Sequence, residues 1–129
     1  MTAIIDYDAG NIKSVEKALL FLGEQVCVTR EREKILSADR VILPGVGSFG
    51  KAMERIRSYG LEDVIKEIVS RGTPFLGICL GLQLLFERSE ECEGVAGLGI
   101  LIGEIILIQV KEGGKVAEIG WYSLRYPRK

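Results

Sequence analysis

The chain of 129 residues contains no histidine, which removes the commonest general base and one of the usual ligands of zinc. Its three cysteines are odd in number and lack metal-type spacing, so we expect no metal and no cofactor. Cys27, in an apolar segment, is expected to be a small core residue, and Cys92, in an acidic loop, to be unreactive. A reduced, cytoplasmic protein is the expectation.

Neither sign of charge dominates the chain. It has 17 basic and 18 acidic residues, which argues against nucleic acid or a membrane surface as a partner. No apolar run approaches the length of a membrane span, and no signal-peptide pattern follows the first residues. The composition is therefore that of an ordinary globular protein.

Apolar strands and amphipathic helices alternate along the first three quarters of the chain. Strands are predicted at 3–7, 25–29, 40–43 and 75–78, with helices beginning near residues 12, 49, 61 and 80 and only a short turn around Ile35. Asn11 is predicted to cap the first helix and Gly23 to end it. This order indicates an α/β fold with a flavodoxin-like, doubly wound parallel sheet. Such sheets bind ligands at the carboxyl ends of their strands.

The last quarter changes from helical to β-rich patterning. Apolar side chains alternate or cluster in residues 105–110 and 116–124, and a Gly-containing turn lies between the two segments. This pattern predicts an antiparallel hairpin. At this length we expect one domain over residues 1–129. Its parallel βα part would be 1–96 and its hairpin extension 97–129.

The strongest chemical signal is Gly77-Ile78-Cys79-Leu80-Gly81, at the junction of a predicted strand and helix. The glycines permit a tight turn that lifts one side chain clear of the sheet, and the helix N-terminus favours a thiolate. The N–H of Leu80 would face a developing oxyanion, and the loop Pro44-Gly45-Val46-Gly47 could supply a second donor. Gln83, one helical turn after Cys79, is placed to hold a polar substrate.

A simpler interpretation is that Cys79 is a buried structural thiol and that the glycines only make turns. Two Gly-rich segments at the ends of neighbouring strands favour the nucleophile site over this alternative.

These segments resemble the motifs of class I, triad-type glutamine amidotransferases, whose nucleophile motif matches Gly77-Ile78-Cys79-Leu80-Gly81-x-Gln83. The opening Ile5-Asp6-Tyr7-x-x-Gly10-Asn11, with Ser14-Val15, resembles that of the glutaminase subunits of imidazole glycerol phosphate synthases. Pro44-Gly45-Val46-Gly47-x-Phe49-Gly50-x-Ala52-Met53 resembles their oxyanion-strand loop. The resemblance covers residues 1 to about 104.

The resemblance implies that Cys79 attacks the side-chain amide of glutamine, forming a thioester and releasing ammonia. Backbone N–H groups of Leu80 and Gly47 would stabilise the oxyanion. The substrate would be held by Gly45, Val46, Gln83 and Glu91. A cyclase subunit of imidazole glycerol phosphate synthase is the implied partner, which would use the ammonia in histidine biosynthesis. For Glu91 the alternative is a solvated charge in an acidic run.

The sequence departs from the family in two places. It lacks the His-x-Glu pair that activates the nucleophile, and Ala117-Glu118-Ile119-Gly120-Trp121-Tyr122 stands where the family reads Pro-His-x-Gly-Trp-Asn. Gln109 also replaces a common proline. We therefore expect a C-terminally truncated, altered glutaminase domain with little or no turnover.

Three other interpretations stay open. The chain could be an engineered, non-catalytic fragment that folds alone, or a scaffold that forms homo-oligomers through exposed sheet edges. It could also be a small ligand-binding module that uses the crevice at the strand ends.

Overall fold

A computed structural model describes residues 1–107 and places a four-stranded parallel sheet at the centre. The strands are β1 (Thr2–Ile5), β2 (Val26–Thr29), β3 (Arg40–Leu43) and β4 (Phe75–Gly77). Their spatial order is β2-β1-β3-β4, and every neighbouring pair is parallel. The predicted α/β class with a flavodoxin-like sheet is confirmed.

Five helices connect the strands or follow the last of them. They are α1 (Ile12–Phe21), α2 (Arg32–Leu36), α3 (Phe49–Ser58), α4 (Leu61–Ser70) and α5 (Leu80–Leu84). Only a turn was predicted at α2, but the fully buried Ile35 holds a short helix there. No helix within residues 1–107 is long and apolar enough to cross a membrane.

The two ends of α1 differ in how well the sequence predicted them. Gly23 ends the helix as expected, with φ 84° and its N–H donating to the Leu20 carbonyl at 3.0 Å. Asn11 occupies the N-cap position as predicted, but its side chain makes no capping hydrogen bond. Its Oδ1 is buried and has no hydrogen-bond partner among residues 1–107.

The main core lies on one face of the sheet. Alternate strand residues, Ala3, Ile5, Val41 and Leu43, pack there against apolar side chains of α2 to α5. The opposite face carries Ile42 and Leu76, and of the helices within residues 1–107 only α1 lies beside it. No residue of α1 is buried, although apolar residues recur along it at helical spacing. Cys27 was predicted to be a core residue, and this was wrong: it is half-buried and lies outside the core.

A second, two-stranded sheet follows α5. It pairs β5 (Arg88–Ser89) in parallel with β6 (Glu104–Ile105), and the sequence did not predict it. Ile105 was expected to begin the antiparallel hairpin and lies instead in this parallel pair. The rest of that hairpin, beyond residue 107, lies outside the described residues.

Candidate active site

Cys79 lies between the end of β4 and the start of α5 in a backbone conformation that is rare for a residue with a side chain. Its φ is 55° and its ψ is −123°, and its side chain is exposed. Conformations of this kind cost of order 1–3 kcal/mol and persist only where the surrounding structure holds them. The strained turn directs the thiol into solvent, so Cys79 is not the buried structural cysteine of the simpler interpretation.

Two glycines let the chain close tightly around Cys79. A Cβ on Gly81 would lie 1.9 Å from the Leu43 carbonyl oxygen, so α5 begins directly against the end of β3. A Cβ on Gly77 would lie 2.8 Å from Leu82 Cα. Both positions therefore require glycine for close approach of the backbone.

The loop after β3 packs against the first turn of α5. Pro44 and Gly45 are buried, whereas Val46 and Gly47 are exposed, with a φ of 97° at Gly47. The Leu80 N–H, the predicted oxyanion donor, donates to the Gly45 carbonyl at 3.1 Å. In this conformation the Leu80 N–H is therefore already used by the Gly45 carbonyl and is not available to an oxyanion.

Tyr7, two residues after the end of β1, supports the same loop and was not predicted as a site residue. Its hydroxyl donates to the Pro44 carbonyl at 2.5 Å, and a Cβ on Gly45 would lie 2.5 Å from the hydroxyl oxygen. Burial raises the pKa of Tyr7 well above its usual value, with the charge of Arg55 acting in the opposite direction. The signal in the sequence was a tyrosine at the end of a buried strand, where its hydroxyl needs a partner.

The turn that follows β1 is fixed by a cluster of charged and aromatic side chains. Asp8 has a φ of 68°, accepts a hydrogen bond from the Tyr59 hydroxyl, and pairs with Arg30 at 3.1 Å. The Arg30 guanidinium also lies 3.9 Å from the centre of the Tyr59 ring. The hydrogen bond from Tyr59, and then Arg30, lower the pKa of Asp8. A Cβ on Gly10 in this turn would lie 3.3 Å from Val46 Cγ2, so the turn is in contact with the loop after β3.

The two polar residues predicted to hold a substrate differ in their placement. Gln83 is half-buried on α5, and its backbone N–H donates to the Cys79 carbonyl at 3.4 Å. Glu91 follows β5 with an exposed side chain, and its N–H donates to Ser89 Oγ at 3.2 Å. Within residues 1–107 no hydrogen bond joins Glu91 to Cys79 or to Gln83.

Two further possibilities for chemistry are a second thiol and a metal site. Cys92 is half-buried, and a Cβ on Gly50 would lie 2.6 Å from its Sγ. In the described part of the chain, no group of three or more histidine, cysteine, aspartate or glutamate side chains is arranged to hold a metal ion. What the arrangement offers is an exposed thiol in a strained turn, the Leu80 N–H beside it, which here donates to the Gly45 carbonyl, and a glutamine on the helix that follows. This constellation suits attack on a carbonyl carbon.

The chain is similar in sequence to a known family. The profile of the family described as glutamine amidotransferase class-I matches residues 3–123. The "Imidazole glycerol phosphate synthase subunit HisH" of Bacillus cereus (strain G9842) is 54% identical over 129 residues, which is 100% of this chain and 61% of that protein. The protein of that name from Methanocaldococcus jannaschii is 47% identical over 125 residues, or 97% of this chain and 61% of that protein.

These alignments extend past residue 104, where the recognised motifs end. The chain spans about three fifths of the length of the curated relatives it matches.

Solved structures share the fold. One described as "Crystal structure of glutamine amidotransferase" superimposes with a TM-score of 0.66 at 25% identity, over 77% of this chain and 52% of that chain. A putative peptidase E from Listeria monocytogenes EGD-e gives a TM-score of 0.63 at 16% identity, over 78% of this chain and 62% of the other. The second likeness concerns the fold alone.

Proposed function

This chain belongs to the class-I glutamine amidotransferase family, and from that membership we propose that it is a glutaminase-type domain whose nucleophile is Cys79. The observation that supports this role most directly is the exposed thiol of Cys79, held at φ 55° between a strand and a helix. Strain of this kind is characteristic of functional sites, because folding alone gives no reason to keep it.

The proposed reaction begins with attack of the Cys79 thiolate on the side-chain amide carbon of glutamine. A C–S bond forms, the carbonyl oxygen becomes an oxyanion, and the C–N bond then breaks as the nitrogen takes up a proton and leaves as ammonia. Water hydrolyses the resulting thioester to glutamate. Gln83, on the helix that begins beside Cys79, and Glu91 would hold the substrate, together with the backbone at Gly45 and Val46.

The oxyanion would be stabilised by the N–H groups of Leu80 and Gly47. Since the Leu80 N–H donates to the Gly45 carbonyl, that carbonyl has to turn away before Leu80 can donate to an oxyanion. Gly45 and Gly47 provide the backbone freedom for such a change. We propose that the loop 44–47 moves in this way during the reaction.

Turnover by these 129 residues alone should be very slow. They include no histidine that could take the thiol proton or protonate the leaving nitrogen. Loss of a triad base costs several orders of magnitude in rate, and the residual rate comes from binding and the oxyanion hole.

The names of the relatives suggest where the ammonia would go. Those proteins are subunits of imidazole glycerol phosphate synthase, and this chain resembles them over 94–100% of its length. We propose that the domain supplies ammonia to a cyclase partner for histidine biosynthesis in the cytoplasm.

A non-catalytic folded unit that self-associates, as an engineered scaffold would, is the second candidate. It is supported by an apolar groove of about 310 Å³ between α1 and the sheet, which includes Leu22 (73% exposed) and Leu76 (54% exposed). Exposed apolar surface of this kind favours association with a second copy.

Covalent labelling by 6-diazo-5-oxonorleucine, a glutamine mimic, tests the proposed function. We expect mass spectrometry to find the label on Cys79 and not on Cys27 or Cys92, and glutamine to protect against labelling. Cys79→Ser is the matched control and should take up no label. Equal labelling of the three cysteines, or labelling that glutamine does not reduce, would show that this is not a glutamine site.

A further inference from the structure

Two hydrogen bonds hold successive peptide groups of the loop after β3. On one side the buried Tyr7 hydroxyl donates to the Pro44 carbonyl at 2.5 Å. On the other side the Leu80 N–H donates to the Gly45 carbonyl at 3.1 Å. Gly45 therefore lies between two fixed peptide groups, and a Cβ at this position would meet both the Tyr7 hydroxyl, at 2.5 Å, and the Gly81 nitrogen in the first turn of α5, at 2.7 Å.

We propose that Tyr7 is a positioning residue. Its hydroxyl holds the loop 44–47 in the arrangement in which the Gly45 carbonyl accepts the hydrogen bond from the Leu80 N–H. In this arrangement Leu80 cannot donate to an oxyanion, so Tyr7 restrains attack of Cys79 on carbonyl groups. The proposal rests on the proposed function for its catalytic consequence, but the hydrogen-bond coupling itself can be measured without any turnover.

The physical basis is the burial of both partners. Tyr7 is 1% exposed, and Pro44 is buried, so water does not readily replace either side of the hydrogen bond. A buried carbonyl that loses its donor is left unsatisfied, and the loop then gains by moving toward solvent. The Pro44 and Gly45 carbonyls belong to successive peptide groups that meet at Gly45, which is packed closely against the Tyr7 hydroxyl and α5, so movement of the first carbonyl displaces the second.

Amide hydrogen exchange in Tyr7→Phe measures the coupling directly. We expect the Leu80 N–H to exchange about three- to tenfold faster than in the unmodified protein, as loss of one hydrogen bond implies. The Gly81 N–H, which donates to the Ile78 carbonyl at 2.9 Å in the same turn, should exchange at an unchanged rate. Tyr59→Phe is the matched control, because it removes a tyrosine hydroxyl that bonds to Asp8 and not to the loop.

The chemical consequence is measured with two reagents on the same thiol. p-Nitrophenyl acetate acylates Cys79 through an oxyanion: the C–S bond forms, the ester C–O bond breaks and p-nitrophenolate leaves. Iodoacetamide alkylates the thiol by displacement of iodide and forms no oxyanion. In Tyr7→Phe we expect the ratio of acylation to alkylation at Cys79, resolved by mass spectrometry, to rise severalfold while alkylation is unchanged.

These outcomes separate the coupling from the function. Unchanged Leu80 exchange in folded Tyr7→Phe overturns the proposal. Faster Leu80 exchange without a change in the reagent ratio supports the coupling but contradicts the role of Leu80 as oxyanion donor. If Tyr7→Phe does not fold, incorporation of 3-fluorotyrosine, a stronger hydrogen-bond donor, should slow Leu80 exchange, and unchanged exchange overturns the proposal.

Discussion

At the scale of single residues, Gly81 shows how local preference and packing oppose each other. Alanine is favoured over glycine within a helix by about 1 kcal/mol, so helix propensity alone predicts that Gly81→Ala stabilises the protein. The added Cβ would, however, lie 1.9 Å from the Leu43 carbonyl oxygen, which belongs to the central sheet. Because backbone at the end of a strand yields little, we expect Gly81→Ala to lower the free energy of unfolding by about 1–3 kcal/mol.

Urea denaturation checks this expectation, and Gly50→Ala provides the matched control. Gly50 also lies in a helix, but the added Cβ would meet Cys92 Sγ at 2.6 Å, and this side chain can move aside. The loss in Gly50→Ala should therefore be smaller. A Gly81→Ala variant as stable as the unmodified protein would mean that α5 does not begin against β3 as described.

The reactivity of Cys79 is a second prediction at this scale. Its thiol is exposed at the start of α5, whereas Cys27 and Cys92 are half-buried. Exposure to solvent gives the reagent access to this thiol, whereas the other two are partly covered. We expect iodoacetamide to modify Cys79 first at every pH between 6 and 9, with site-resolved mass spectrometry as the measurement. A Cys79 that reacts no faster than Cys92 would remove the physical basis for a nucleophile.

At the scale of structural elements, Asp8 joins the turn after β1 to Arg30, which directly follows β2, and to Tyr59, which directly follows α3. Because the pKa of Asp8 is lowered in the folded protein, its ionised form stabilises the fold at neutral pH. That contribution is lost as the pH falls from about 4, the usual aspartate value, through the lowered one. The effect should be small, since the group is exposed and solvent screens it.

Asp8→Asn isolates this contribution, since asparagine also tolerates the positive φ at this position. We expect the urea midpoint of Asp8→Asn to fall less steeply between neutral pH and pH 3 than that of the unmodified protein. Tyr59→Phe removes one of the two partners and should give an intermediate slope. If the urea midpoints of all three proteins change with pH in parallel, the ionised Asp8 side chain does not stabilise the fold through Tyr59 and Arg30.

The elements also show what the sequence could predict. The four parallel strands, Gly23 at the end of α1 and the glycines around Cys79 each follow from local chemistry, and the structure has them as expected. The pairing of β5 with β6 depends on contacts between residues 16 positions apart, which periodicity does not encode. Cap preference placed Asn11 correctly at the start of α1, but it did not predict that the side-chain oxygen is buried without a partner within residues 1–107.

The candidate site also contains features that the sequence predicted and features that it could not predict. Cys79 and Gln83 were predicted because a motif of seven residues brings them together on one turn. The hydrogen bond from Tyr7 to Pro44 joins residues 37 positions apart, so only the sheet order brings them together. Likewise, the sequence predicted Leu80 as a donor but could not predict that the Gly45 carbonyl already accepts from it.

At the scale of the whole molecule, the two faces of the sheet are covered unequally. The core of α2 to α5 lies on one face, whereas the groove beside α1 leaves Leu22 and Leu76 exposed on the other. Burying such apolar surface yields about 25 cal/mol per Å², which favours contact with a second copy. We therefore expect the mass of this 129-residue chain, measured by light scattering, to rise with concentration toward that of a dimer.

Charged substitutions in the groove test whether this face forms the contact. Leu22→Lys and Leu76→Lys should each shift the mass toward that of a single chain, because a buried lysine without a partner opposes association. Phe21→Lys is the control: Phe21 is 89% exposed and precedes Leu22 in the chain, but it does not line the groove. It should therefore leave the association unchanged. A single-chain mass at every concentration, or equal effects of Phe21→Lys and Leu22→Lys, would contradict association through this groove.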